Sequence, residues 1–328
     1  MALRRRSKSF AAGSLGAHAI AATFGLGASI ALVTSCGART GLPVPEIVAG
    51  DTSKGGMMPE AGPDAFDAAP DVQEDVIPPP DECPEGGTKT FIYLITEEAH
   101  LLAYDPPLKT YHDIGVINCP FEGGNPFSMG VARNGTAYAV YEDGSLYKVS
   151  TRDASCEDTT YISGQSGFER FGMGYSSDTD DPGEKLYVAD ISGTTTVSKG
   201  LATIDTTTFQ LNFINPFSEN PGDALEMTGT GDGRLFGFFI QTGMPGGTIA
   251  QIDKTNATIL SQQFVPMTGT SNEDLAFAFW GGDFFIFTSS EAAPPTTVTR
   301  VSGDASDVET TIPLRVVGAG VSTCAPAQ

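Results

Sequence analysis

The sequence predicts an all-β fold, a five-bladed β-propeller of four-stranded blades over residues 83–328, from three observations. First, apolar-aromatic anchors recur at Tyr93, Tyr138, Tyr187, Phe236 and Phe285, spaced by 45, 49, 49 and 49 residues, a period that matches the length of a propeller blade. Second, the windows around them alternate with period two, are rich in Thr, Val, Tyr and Phe, and are bounded by Gly, Asn and Asp, with no helical period between. Third, Cys83 and Cys324 flank the first and last repeats, as expected where a ring must bring its two ends together. A β-sandwich or other stack of hairpins is the alternative. No WD or kelch signature is present, so the prediction rests on the period.

Each repeat supports the assignment in turn. The anchors lie in FIYLIT, TAYAVY, KLYVAD, RLFGFF and DFFIFT, and the last four follow turns at Arg133-Asn134-Gly135, Asp181-Pro182-Gly183, Gly231-Asp232-Gly233 and Gly281-Gly282-Asp283. A second short strand follows each anchor, as in Leu102-Ala103-Tyr104-Asp105 and Leu146-Tyr147-Lys148-Val149. Nine residues before the anchor the pattern places Met129, Met227 and Ala276, with Met173 joining them once an insertion at Asp178 to Pro182 is allowed. Radial repetition of such units leaves only short, protected sheet edges.

Composition narrows the function. The 328 residues carry 40 acidic and 18 basic side chains, a net charge of -22, and a pI near 4.3. That balance repels phosphate backbones and excludes nucleic acid as a partner. Three histidines, His18, His100 and His112, exclude a His-rich metal site.

The first residues specify an address. Arg4, Arg5, Arg6 and Lys8 form a basic cluster, and an Ala/Gly-rich apolar run from Phe10 to Leu32 follows, the layout of a secretory signal peptide. The run ends Leu32-Val33-Thr34-Ser35-Cys36, which resembles the lipobox of bacterial lipoproteins. The resemblance implies cleavage after Ser35, so that residues 1–35 are the signal peptide and Cys36 is the lipid attachment site. Acyl chains contribute about 0.8 kcal/mol per buried CH₂, and two or more make a stable anchor. An uncleaved membrane span and ordinary cleavage are the competing readings. The residue after Cys36 is Gly37; in the lipoprotein family an Asp at that position commonly signals inner-membrane retention, so the resemblance points to the outer membrane.

Residues 36–82 read as a disordered tether. Between Gly37 and Glu82 there are ten acids, two bases, eight prolines and one aromatic, Phe66. So little apolar surface cannot offset the ordering entropy, and Pro78-Pro79-Pro80 stiffens the spacer locally.

With Cys36 set aside, four cysteines remain in an exported chain, where disulfides persist. Of three possible connectivities, Cys83–Cys324 with Cys119–Cys156 is preferred: the first closes the ring and the second ties the outer edges of blades one and two. The first encloses far more than 100 residues, which corresponds to about 4 to 5 kcal/mol in the chain-entropy account. A zinc site is the weaker alternative, because no CxxC pair exists. Together GVINCP around Cys119, GVSTCAP around Cys324 and AFAFWGGDFFIFT resemble propeller-type lipoproteins of myxobacteria, whose tethers are also rich in Pro and Asp. That resemblance implies the address and the architecture and brings no activity with it.

Candidate chemistry comes from the repeat. Four residues before the inner-strand positions lie Asn125, Glu169, Asp223 and Asn272, with Glu273 and Asp274 adjoining the last. In a propeller these gather near one mouth of the channel, where oxygen ligands could hold a hard cation such as calcium or hydrogen-bond a sugar; no other cofactor is expected. As turn residues introducing each inner strand they need no ligand at all. Asp178, Asp180, Asp181 and Glu184 crowd the insertion and read as a solvated loop, since their spacing is not that of a calcium-binding loop. Gly164-Gln165-Ser166-Gly167 falls short of a nucleophile elbow. Trp280 with Phe277, Phe279, Phe284, Phe285 and Phe287 reads first as packing between blades and second as a stacking platform.

Two function classes follow. One is a surface binding or interaction module for a glycan, peptide or envelope protein in the periplasm or outside the cell, attached to the membrane by its lipid. The other is a glycoside-directed enzyme with paired carboxylates near the channel, such as Glu169 with Asp223 or Glu273. The first is favoured, because no catalytic motif is present.

Overall fold

The computed structural model describes residues 83, 89–120, 124–178, 183–191, 198–219, 222, 224–240, 244–267, 274–290 and 293–328. The expected signal peptide (1–35), lipid attachment site Cys36 and tether (36–82) lie outside these residues. Twenty strands follow in chain order, and the one helical element among the described residues is a single 3-10 turn, Gln165–Gly167. They are β1 (Ile92–Thr96), β2 (His100–Asp105), β3 (Thr110–Val116), β4 (Pro126–Val131), β5 (Thr136–Tyr141), β6 (Leu146–Ser150) and β7 (Cys156–Asp158). Next come β8 (Phe171–Ser177), β9 (Glu184–Asp190), β10 (Leu201–Ile204), β11 (Leu211–Asn215), β12 (Ala224–Gly229), β13 (Leu235–Ile240), β14 (Gly246–Ile252) and β15 (Ile259–Pro266). The chain ends with β16 (Asp274–Trp280), β17 (Asp283–Ser290), β18 (Ala293–Ser302), β19 (Ala305–Ile312) and β20 (Val316–Gly320).

These strands form five four-stranded antiparallel sheets, β20-β1-β2-β3, β4 to β7, β8 to β11, β12 to β15 and β16 to β19. The protein is a five-bladed β-propeller. The C-terminal strand β20 supplies the innermost strand of the first blade, pairing Leu94 with Ala319 and Ile95 with Gly318. This closes the ring by hydrogen bonds between the two ends of the domain. Neighbouring innermost strands contact one another in the ring order β20, β4, β8, β12, β16.

The period in the sequence has a physical origin in the packing. Every blade is covered on both faces, and five hydrophobic clusters fill the five gaps between blades. Between blades two and three, for example, Tyr138, Val140 and Leu146 meet Phe171, Met173 and Leu186. The aromatic run of blade five belongs to this packing. Phe236 meets Phe284 at 4.9 Å between centroids and Phe279 at 6.0 Å, and Phe238 meets Phe277 at 5.6 Å, filling the gap between blades four and five. On the opposite face of that sheet Phe285 and Phe287 pack edge-on against Tyr104 of blade one. Trp280 is partly buried and donates its indole N–H to Thr90 Oγ1 at 3.0 Å. No stacking platform is left among these rings.

All five anchors fall on the second strand of a blade. The ladder adds one correction to the alignment: Met129, Met173 and Met227 pair with the residue after the anchor, and in blade five the residue so paired is Phe277, opposite Ile286, instead of Ala276. The cause is a turn one residue shorter, Gly281-Gly282, which closes directly on the Trp280 and Asp283 pair. In blade one the equivalent residue is Ala319, opposite Leu94.

Both expected disulfides are present, Cys83–Cys324 and Cys119–Cys156, with Cα separations of 5.4 and 5.0 Å. The second joins the segment after β3 to β7, the outermost strand of blade two. Around the first, the C-terminal tail covers one mouth of the channel. Thr323 Oγ1 accepts from Arg133 Nε at 2.7 Å and donates to Glu184 Oε2 at 2.7 Å, and Gly281 N–H donates to Pro326 O at 2.8 Å. At Gly231 a Cβ would stand 2.2 Å from the Thr323 carbonyl oxygen, so the turn of blade four must be glycine for the tail to lie there. Glu184, expected in a solvated loop, is thus committed to the tail. Asp180 and Asp181 lie outside the described residues.

Candidate functional site

The opposite mouth is open. Here the innermost strands begin, and a cavity of about 320 Å³ takes lining residues from every blade. Blade one contributes Glu97 and Arg315, blade two Asn125, Phe127 and Glu142, blade three Arg170 and Ile191, blade four Leu225 and Glu226, and blade five Asp274 and Leu275. Radial repetition produces this convergence, since the same end of every blade faces one axis.

Arg315, at the position in β20 that matches Asn125 in β4, organises the rim. Its Nη1 lies 3.3 Å from Glu97 Oε2 and its Nε donates to Asp274 Oδ2. Asp274 also accepts from Ser289 Oγ at 2.9 Å, and Glu97 N–H donates to the Arg315 carbonyl at 2.8 Å. Two carboxylates of the cavity are therefore held by one guanidinium. Glu142, an exposed residue, accepts from the Asn125 backbone N–H at 3.2 Å.

The second cation behaves differently. Arg170 places its guanidinium 5.2 Å from the centroid of the Phe127 ring, a cation–π arrangement. Its carbonyl accepts from Ile191 N–H at 2.9 Å, which fixes the backbone just before β8. Among the described residues no carboxylate pairs with its side chain.

Glu226 forms the floor. It is 3% exposed and accepts a 2.8 Å hydrogen bond from Ser128 Oγ, a residue of blade two. Burial pushes its carboxyl well above the usual carboxylate range, and the bonds from Ser128 and the Met227 backbone N–H offset this only in part. A carboxyl so placed favours its neutral acid form, because removing a charge from water costs more than one hydroxyl returns. The ladder shows why it fits. Its counterparts in the other innermost strands are Ser128, Gly172, Ala276 and Gly318, paired two residues beyond each anchor, and all four are small. At Gly172 a Cβ would lie 2.4 Å from the Leu225 carbonyl oxygen. One long side chain occupies the axis that four short ones leave free.

Of the residues expected at this mouth, Asn125 and Asp274 line the cavity. Glu169 is exposed, and its neighbour Arg170 takes the lining position. Asp223, Asn272 and Glu273 lie outside the described residues. Arg315, Arg170 and Glu226 escaped the count by four residues, Arg315 because β20 belongs to no internal repeat. Glu226 carried no signal in the sequence, because the small series it stands out from appears only once the ladder brings Ala276 and Gly318 into line with it.

Among the described residues no group of three or more His, Cys, Asp and Glu is placed to hold a metal ion. His100 pairs with Asp113 at 2.8 Å and His112 packs edge-on against Phe91, both on blade one. Ser166 is exposed in the 3-10 turn.

Fold and site together define a β-propeller with one mouth covered by its own C-terminus and a polar cavity at the other. No family model matches the sequence, and no curated protein matches it either. Solved structures similar to it include the glycoside hydrolase family 117 protein Zg3597 of Zobellia galactanivorans, at 11% identity and TM-score 0.42 over 67% of this chain and 77% of that one. A protein of unknown function from Bacteroides caccae matches at 8% identity and TM-score 0.41, covering 71% and 99%. Hydrazine synthase of Kuenenia stuttgartiensis matches at 14% and 0.37, covering 71% and 70%. At these identities and scores the likeness transfers no activity, ligand or partner to this chain.

Proposed function

We propose that this protein is a cell-envelope lipoprotein, anchored through Cys36 and carried on its acidic tether, whose propeller is a binding module with the ligand site in the mouth cavity. The observation that carries this reading is the asymmetry of the channel: one mouth is covered by the tail, and the other is a cavity of about 320 Å³ to which all five blades contribute, within the size range of small-molecule sites. Cys83, where the tether ends, is bonded to Cys324 in the covered mouth. Two disulfides suit an oxidising compartment, and Gly37 suits the outer membrane.

A glycoside-directed hydrolase is the second reading, favoured by Glu226, since a carboxyl kept protonated can serve as a general acid. It ranks below binding because Glu97 and Asp274 are engaged by Arg315, which leaves Glu226 without a free carboxylate partner among the described lining residues other than the exposed Glu142.

Intact mass spectrometry of the membrane-extracted protein, followed by thermal shift with a panel of oligosaccharides and short peptides, tests both halves. The expected result is a chain that begins at acylated Cys36, gains four alkyl groups only after reduction, and melts higher with a ligand, because a molecule that binds only the folded state raises its stability by RT ln(1 + [L]/Kd). An unlipidated mass removes the address. Release of reducing sugar that disappears in Glu226→Gln would replace binding with hydrolysis.

A further inference from the structure

We propose that the mouth cavity binds a small zwitterion, with its carboxylate on Arg170 and its ammonium on Glu226. The inference rests on the binding-module reading and names the ligand class of that site.

Six charged side chains line the cavity: Glu97 from the β1–β2 turn, Glu142 from the β5–β6 turn, Arg170 before β8, Glu226 on β12, Asp274 on β16 and Arg315 before β20. Glu97, Asp274 and Arg315 satisfy one another, and Glu142 stands exposed at the rim. What remains is one guanidinium and one buried carboxyl, each without a counter-ion among the described residues. Both line the one cavity, Arg170 over the ring of Phe127 and Glu226 against the hydroxyl of Ser128.

A simple anion would meet Arg170 but also the surplus of carboxylates. A simple cation would meet Glu226 and be repelled by Arg170. A molecule carrying both charges answers both groups, and the burial of Glu226 strengthens its ion pair. Phe127 and Leu225 leave apolar wall for a short backbone or side chain. The ammonium can form its ion pair only with ionised Glu226, so binding expels one proton from the carboxyl to solvent wherever the free protein holds it protonated.

Isothermal titration of the full chain in detergent, at mildly acidic pH, tests this with three probes: glycylglycine, N-acetylglycylglycine lacking the ammonium, and glycylglycinamide lacking the carboxylate. We expect glycylglycine to bind and each blocked peptide to bind at least tenfold more weakly. Arg170→Gln should weaken glycylglycine tenfold or more and leave glycylglycinamide unchanged; Glu226→Gln should do the same with N-acetylglycylglycine as the unchanged probe. Repeating the titration in buffers of different ionisation enthalpy should report one proton released, and none in Glu226→Gln. Far-UV circular dichroism establishes that both variants are folded. Equal binding of the blocked peptides overturns the zwitterion, as does binding of a neutral oligosaccharide with none of glycylglycine, and either leaves the binding module standing. A folded protein that binds neither peptides nor oligosaccharides overturns both readings.

Discussion

Ser128 of blade two donates its hydroxyl to Glu226 of blade four at 2.8 Å, across the channel and over 98 residues of sequence. The contact skips a blade, because Gly172 of the intervening strand has no side chain to stand between them. It ties blade two to blade four and places a carboxyl in the cavity.

That carboxyl makes stability depend on pH in a stated direction. The folded-state value of Glu226 is raised above its unfolded one, so the folded protein binds the proton more tightly. Its contribution is fully present below the ordinary carboxyl range and is lost as pH rises from there toward the raised folded value. Thermal midpoints of the native chain should fall across that window more steeply than those of Glu226→Gln, which has no proton to lose. Parallel slopes would show that Glu226 does not titrate as its burial demands.

Arg315 supports the rim from the last strand of the fold. Side-chain exposures of 21% for Arg315 and 16% for Asp274 make this pair partly buried. Arg315→Gln leaves Asp274 and Glu97 facing each other without their cation, a loss expected at about 2 kcal/mol. Chemical denaturation should show a lower midpoint with an unchanged slope, and the same substitution should weaken the attachment of β20 in hydrogen exchange.

Closure by Cys83–Cys324 spans 241 residues. In the chain-entropy account its removal costs about 5 kcal/mol, and that of Cys119–Cys156 about 4 kcal/mol. Paired Cys→Ser replacements should therefore both lower the melting temperature, the first by somewhat more. Only the first should release the tail from Arg133 and Glu184, which limited proteolysis of the C-terminus would read out.

Gly172 is the tightest of the small channel positions beside Glu226. Its replacement by alanine forces a methyl group toward the Leu225 carbonyl oxygen and to 3.0 Å from Glu226 Cα. Overpacking of this kind costs about 1 to 3 kcal/mol, measurable by equilibrium unfolding. Ala276→Gly at the matching position in blade five removes only one methyl group and should cost less.

Much of this architecture was legible in the chain. The second strand of each blade is packed on both faces by neighbouring blades, and Tyr93, Tyr138, Tyr187, Phe236 and Phe285 mark these five strands at near-constant spacing. The four cysteines paired as their positions around the ring suggested. Asn125 was found at the cavity because it precedes an inner strand, and Asp274 because it adjoins the matching position in blade five. The one-residue shift to Phe277 was not legible, since the length of the Gly281-Gly282 turn is fixed only when the strands pair.

What the sequence alone determined is therefore the repeat and its local consequences, because alternation and turn chemistry act over a few residues. The tertiary structure decided which side chains meet at the axis. Glu226 in LEMTGT reads as any polar residue of an alternating strand, and it becomes a buried acid only when ring closure sets β12 against β4. Arg315 becomes the clamp of the rim only when β20 joins the first blade. Both depend on contacts between residues far apart in the chain, and their charges acquire meaning from water excluded by the whole ring.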